Sequence, residues 1–299
     1  MSRRVILGWL VFLAVLTLAG MVYSVNPRNW SMRGKGFYSP WAAGIAREEA
    51  SARAEETLTV TSPVKLTLKS YTGGVTVLGA GDTDKVKVQY EIKAYGADKA
   101  QAEGYLESLK PGIVQSGNAI TISVKPAGRS GGPADRVELV VSVPAATDVE
   151  IDSRLGHVNV RGIRGNVTAE AGMGSIEVTG VVGSLDLKAK MGKIEISEAE
   201  VTERLLLDAA MGSIAFQGRL GTENTVTAKM GSVSLQIPPD RALSFTGEVG
   251  MGRVNMDLPF KGTNDGRHFR GIIGTGEPSG SLSVYASMGS VDIRAGGAG

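Results

Sequence analysis

Few residues in this chain are of a type that does chemistry. Cysteine is absent, and histidine occurs only at His157 and His268. The lack of cysteine removes thiol nucleophiles, cysteine zinc sites, disulfides and a lipidated-cysteine anchor. Two histidines are too few for a multi-histidine metal centre and leave few bases for a Ser-His-Asp arrangement. His157 follows a Gly156 corner beside Arg154 and Asp152, and both histidines read as exposed. No phosphate-binding glycine loop and no G-x-S-x-G nucleophile elbow is expected. Enzymes built on stacked strands need carboxylates that converge on one groove. Glu177 and Glu195 are the best such pair. Catalytic, cofactor-binding and metal-binding residues are otherwise expected to be none.

The residues that do recur are methionine and glycine. Met-Gly occurs at Met173–Gly174, Met191–Gly192, Met211–Gly212, Met230–Gly231, Met251–Gly252 and Met288–Gly289, with Leu155–Gly156 as a variant. The steps are 18, 18, 20, 19, 21 and 37 residues, so the last is close to a double step with one unit replaced by an insertion. Soft thioethers could in principle hold copper(I). They could also form an apolar ridge for a partner, or pack inside the fold as adaptable filler. Strict alternation from the flanking leucine and alanine positions predicts the inside.

The elements that position these residues follow from the flanks. Leu185, Leu187, Ala189, Ile194 and Ile196 alternate with polar residues, and Leu282, Val284, Ala286, Val291 and Ile293 repeat the pattern. Alternation with period two marks strands. Gly, at 41 of 299 residues, is about twice its usual share of roughly 7% and sits at the corners. Small residues such as Ala171, Ala189, Ala209, Ala228 and Ala286 predict a tight interior beside each corner. Three residues before each Met, Glu170, Lys188 and Asp208 alternate in sign, as register control requires. A unit this short must stack on its neighbours. The expected fold is all-β, a β-solenoid (β-helix) of about 18–20-residue rungs. An N-terminal transmembrane helix and one short helix in a capping segment complete it.

Residues 5–23 form an apolar run without a charge, preceded by Arg3 and Arg4. As a helix it spans ~28 Å, close to a hydrocarbon core, which predicts a signal anchor. The expected organisation is residues 1–25 as anchor, 26–57 as juxtamembrane linker and stalk, 58–146 as an N-terminal rung with a helix-containing cap, and 147–299 as the repeat. Residues 42–56 read as a solvated helix or stalk. Residues 98–110 read as a short helix with Asp98 and Gln101 in capping-box spacing. Residues 262–280 read as a hairpin-like excursion. The 32 basic and 30 acidic residues nearly cancel, which argues against a general nucleic-acid binder.

The L-x-L-x-A-x-M-G-S-I-x-I pattern, the long strand and helix before it, and the closing segment from Gly274 to Ile293 resemble the bacterial putative-adhesin β-solenoid domains. The resemblance spans about residues 58–294 of the chain. That family is largely of unknown function. The resemblance implies an envelope location and no established activity. The resulting expectation is a non-enzymatic, membrane-anchored, extracytoplasmic protein without cofactors. It would touch the membrane through residues 5–23 and would meet an envelope polymer, glycan or protein, with self-association open. A bactofilin-like polymerising scaffold in the cytoplasm is the alternative, and a β-helix carbohydrate-active enzyme is a further one.

Overall fold

The computed structural model describes residues 48–126 and 135–296. The chain divides into Met1–Ile45 and Ala46–Gly299, and all described residues belong to the second unit. The first strands are β1 (Glu48–Thr59), β2 (Val64–Thr72), β3 (Val75–Gly79) and β4 (Lys85–Gly96). Helix α1 (Lys99–Leu109) follows, then β5 (Gly112–Ser116), β6 (Ala119–Val124) and β7 (Arg136–Val143). The repeat supplies β8 (Thr147–Leu155), β9 (Val158–Arg161), β10 (Val167–Met173), β11 (Ile176–Thr179), β12 (Val182–Met191) and β13 (Ile194–Met211). It continues with β14 (Ile214–Arg219), β15 (Glu223–Met230), β16 (Val233–Ile237) and β17 (Ala242–Asp257). The chain closes with β18 (Phe260–Asn264), β19 (His268–Ile273) and β20 (Pro278–Ala295).

Each step of the Met-Gly repeat sets one segment in parallel register on the previous one. Met173 pairs with Leu155 and Met191, Met191 with Met211, and Met211 with Met230. Alternation sends Leu185, Leu187, Ala189, Ile194 and Ile196 into the core. The interior column beside the corners is small throughout the middle: Ser153, Ala171, Ala189, Ala209, Ala228 and Ala286 are all buried. At the corner the chain needs glycine. Gly192 has φ +140°, and a Cβ there would lie 1.9 Å from the carbonyl oxygen of Gly174. No side chain fits that gap, and an L-residue also resists that φ.

Two features correct the expected β-solenoid of successive rungs with a transmembrane helix. First, β13 runs unbroken through the turn between two Met-Gly corners, and β20 runs unbroken through Met288–Gly289. The pairings β13–β15, β15–β20, β20–β16, β16–β14 and β14–β13 then close a parallel five-stranded barrel. Second, the stacking does not follow chain order. After β16 the chain skips one layer to form β17, turns back through β18 and β19, and fills the gap with β20. Met288 accordingly pairs with Met230 on one side and Met251 on the other. The result is one 20-stranded sheet of mixed direction. The apolar run at residues 5–23 lies outside the described residues. Among the described residues, no helix is long and apolar enough to cross a membrane.

The two ends are antiparallel. β5 lies on β6, β1 on β4 and β4 on β7, while at the far end β19 pairs with β17 and β18 with β19. The expected helix or stalk at residues 42–56 is corrected where it is described: Glu48 onward is strand β1. It pairs with β4 over its full length, tied by Arg53–Glu91 and Lys87–Glu55 ion pairs of 3.0 Å each. Tertiary pairing there overrides helix propensity. Helix α1 starts as its capping pattern predicts. The Gln101 amide donates to Asp98 Oδ1 (2.8 Å), and the Ala97 amide donates to Gln101 Oε1 (2.8 Å). Its buried Ala102, Leu106 and Leu109 pack toward β4 and β1.

Candidate functional site

The methionine column is on the surface. Met173, Met191, Met211, Met230, Met251 and Met288 are 41–66% exposed. This corrects the inward placement that alternation predicted. The alternation holds through Ala189, but the chain turns its corner at Met191–Gly192, and the turn rotates the methionine outward. These six are the majority of the nine exposed large hydrophobic residues among those described. In space the order is Leu155, Met173, Met191, Met211, Met230, Met288 and Met251. At the ~4.8 Å spacing of paired strands, this ridge runs ~29 Å.

Each flank of the ridge carries a basic residue at three of its seven positions and glycine, alanine or serine at the others. Arg154, Lys190 and Lys229 immediately precede ridge residues, and His157, Lys193 and Arg253 follow the corner glycines. All six are exposed, and no acid occupies either flanking position in any unit. Lys190 meets Glu170 at 2.7 Å, and that hydrogen bond with its charge holds the ammonium pKa above the ordinary value. Lys193 meets Glu195 at 2.7 Å, and Arg154 stacks over Tyr71 at 5.5 Å. Positive flanks disfavour a bare copper(I) ion on the thioethers, since like charges repel. Among the described residues, no group of three or more His, Asp or Glu is placed to hold a metal ion.

One outward position further from the ridge lies the mixed-charge column. Glu170 pairs with Lys188 and Lys188 with Asp208, so the sign alternates there as expected. Asp152 opposite Glu170 breaks the rule.

The carboxylate pair is brought together but not left free. Glu177 and Glu195 are register partners on β11 and β13. Arg161 donates to Glu177 (3.0 Å), and Lys193 donates to Glu195 (2.7 Å). They border a shallow recess shared with Ala215, Phe216, Ser234 and Gln236. Each carboxylate is thus engaged by its own cation. The histidines are far apart in the chain order of layers. His157 is exposed after the Gly156 corner. His268 Nδ1 lies 3.0 Å from Asp265 Oδ2 in the β18–β19 loop. The backbone amides of His268 and Arg267, then the His268 ring, lower Asp265 to about 2.

One sequence expectation fails by spelling alone. Gly128-Arg-Ser-Gly-Gly132 does match G-x-S-x-G, but Ser130 lies outside the described residues. The segment connects β6 to β7, two strands, whereas an elbow needs a strand followed by a helix.

No family model and no curated protein matches the chain. Solved structures do. A putative cell adhesion protein from Clostridium sporogenes is 17% identical, with 81% of this chain and 99% of that chain covered and a TM-score of 0.35. A putative adhesin from Bacteroides fragilis is 11% identical, covering 81% and 97%, with a TM-score of 0.38. A putative adhesin from Parabacteroides distasonis is 11% identical, covering 81% and 97%, with a TM-score of 0.35. These neighbours carry the same description as the family that the Met-Gly repeat and its flanking strands resemble.

Proposed function

We propose that the chain is a non-catalytic, adhesin-like protein of the cell envelope, anchored at the membrane with its β-domain outside the cytoplasm. The observation that carries this reading is the methionine ridge. Soluble proteins scatter single exposed apolar residues, and a contiguous apolar feature marks an interaction site. Unbranched, polarizable thioethers suit a surface that adapts to its partner. The ion pairs at Glu177 and Glu195 support the non-catalytic part, because each carboxylate is already engaged by a cation.

A C-terminal tag tests the location. Protease added to cells with opened outer layers and an intact inner membrane should remove the tag. Protection until the inner membrane is lysed would overturn the extracytoplasmic placement and favour a cytoplasmic scaffold. Such a scaffold polymerises through bare terminal strands. Here antiparallel strands lie at both ends, and β19 covers Leu243–Glu248 of β17 while Arg253–Asp257 pair only with β20. Sedimentation that rises with protein concentration would favour the scaffold, and sedimentation independent of concentration would support the adhesin-like reading.

A further inference from the structure

We infer that the methionine ridge is a docking edge for an anionic lipid surface, an inference that rests on the envelope reading above. Three observations carry it. The ridge is apolar and straight in register over seven layers, and its six methionines are exposed. Its two flanks hold Arg154, Lys190 and Lys229 on one side and His157, Lys193 and Arg253 on the other. Lys229 and Arg253 make no ion pair with any described residue, so their charges face solvent uncompensated.

An apolar line between two basic rows matches the interface of a bilayer. Apolar side chains enter the boundary between headgroups and acyl chains, and basic side chains beside them meet lipid phosphates. The acids of the mixed-charge column sit two residues further from the ridge, about 7 Å along the strand. With the ridge facing the lipid, the basic residues are the nearer charges; Lys190 and Lys193 are engaged by Glu170 and Glu195, so Lys229 and Arg253 carry most of the attraction.

Other occupants fit less of this pattern. A soluble polyanion would use the basic rows and leave the thioethers in water. A second copy docked ridge to ridge would set basic rows against basic rows, because both flanks carry the same sign. A neutral apolar partner would have no use for the charges.

The full chain offers a direct test, because it contains no cysteine. Met211→Cys places a single environment-sensitive fluorophore on the ridge. Val182→Cys places one at an exposed site midway between the ridge positions Met173 and Met191. Each labelled chain is reconstituted into vesicles of phosphatidylcholine alone, or of phosphatidylcholine with phosphatidylglycerol, containing brominated acyl chains as quencher. The label at position 211 should be quenched in the anionic vesicles, and the label at 182 should not. Lys229→Gln and Arg253→Gln should each lower the ratio of lipid-contacting to free label about five-fold. Raised salt should act in the same direction.

Equal quenching at 211 and 182 would overturn the proposal. So would equal quenching at 211 in neutral and anionic vesicles, since the basic rows would then play no part. A response of the 211 label to soluble polygalacturonate or polyglutamate, without quenching in vesicles, would overturn the lipid assignment in favour of a polyanion. The tag-protease experiment is independent of all these outcomes. An accessible tag with an unquenched ridge would sink the docking edge and leave the envelope reading standing.

Discussion

The layers from β8 to β16 and the segment from β17 to β20 use the same Met-Gly corner but are stabilised in different ways. In the first region each layer follows its predecessor in the chain, and the register is set by backbone pairing at glycine corners. In the second region a layer is skipped and then filled by β20, so its neighbours in space are remote in sequence. Side chains take over the work of holding it. Asn224 is buried, donates to the Gly221 and Ser281 carbonyls (2.9 and 2.8 Å) and accepts from the Gly221 amide (2.9 Å). Arg241 donates to the Leu220 carbonyl and to Ser279. The in-order layers carry exposed ties of the same kind, the Asn166 amide donating to Asp148 and the Ser184 amide to Asn166; the out-of-order insertion differs in having a buried one at Asn224.

The comparison is broken most strongly at a corner glycine. Gly192→Ala would press a Cβ onto the Gly174 carbonyl and force a φ of +140° on alanine. Both neighbouring layers would have to part, so the loss should exceed ~4 kcal/mol, in the range where folding itself fails. Gly266→Ala in the β18–β19 loop also has positive φ, but nothing lies within 4 Å of its Cβ. That change should cost only about 1 kcal/mol. Urea unfolding of both variants measures the difference, and similar losses would refute the claim that close approach of the backbone at a corner, which Gly252 and Gly289 share, costs more than positive φ alone.

The small interior column gives the next effect. Ala209 is fully buried between Ala189 and Ala228. Ala209→Leu adds three carbons to a closed column and should cost about 3 kcal/mol by overpacking. An unchanged urea midpoint would mean that the column holds unused space.

At the junction of the two regions, Asn224→Ala removes three hydrogen bonds and leaves partners on buried Gly221 and half-buried Ser281. The expected loss is about 2 kcal/mol. Hydrogen exchange should locate it: amides of β20 and β17 should open before those of β10 and β12. Uniform acceleration across all layers would show that the inserted strand is no weaker than the rest.

What the sequence made legible follows the same division. Leu185, Leu187, Ala189, Ile194 and Ile196 are inside because alternation is a local property, readable wherever the strand is straight. The small column and the Asp98–Gln101 cap were readable for the same reason. The methionines were misplaced because a corner changes the phase of alternation, and only the backbone at Gly192 reveals by how much. Strand β1 was invisible because its order comes from β4, some forty residues away. The 37-residue step before Met288 signalled an insertion. It could not signal that β20 returns between β15 and β17, since Met251 and Met288 carry the same motif and would fit either layer. The ridge was one of the readings the methionines allowed, and it was passed over because strict alternation pointed inward; the carboxylate pair was visible without the cations that engage it.

The smallest effect lies in the β18–β19 loop, where Asp265 is lowered from an ordinary 3.8 to about 2 by the His268 and Arg267 amides and the His268 ring. A depressed carboxylate stabilises the folded form fully above its unfolded pKa, and that contribution is lost as pH falls through the folded value. Protection of the β18 and β19 amides should therefore decline between about pH 4 and about pH 2, while β10 to β16 are untouched by this group. Asp265→Asn keeps an oxygen for the two backbone amides but cannot titrate, so the same amides should lose that pH dependence and keep most of their protection at neutral pH. If the Asn variant retained the acid-induced opening, another group would be responsible, and the loop would not be a separately titrating unit at the edge of the second region.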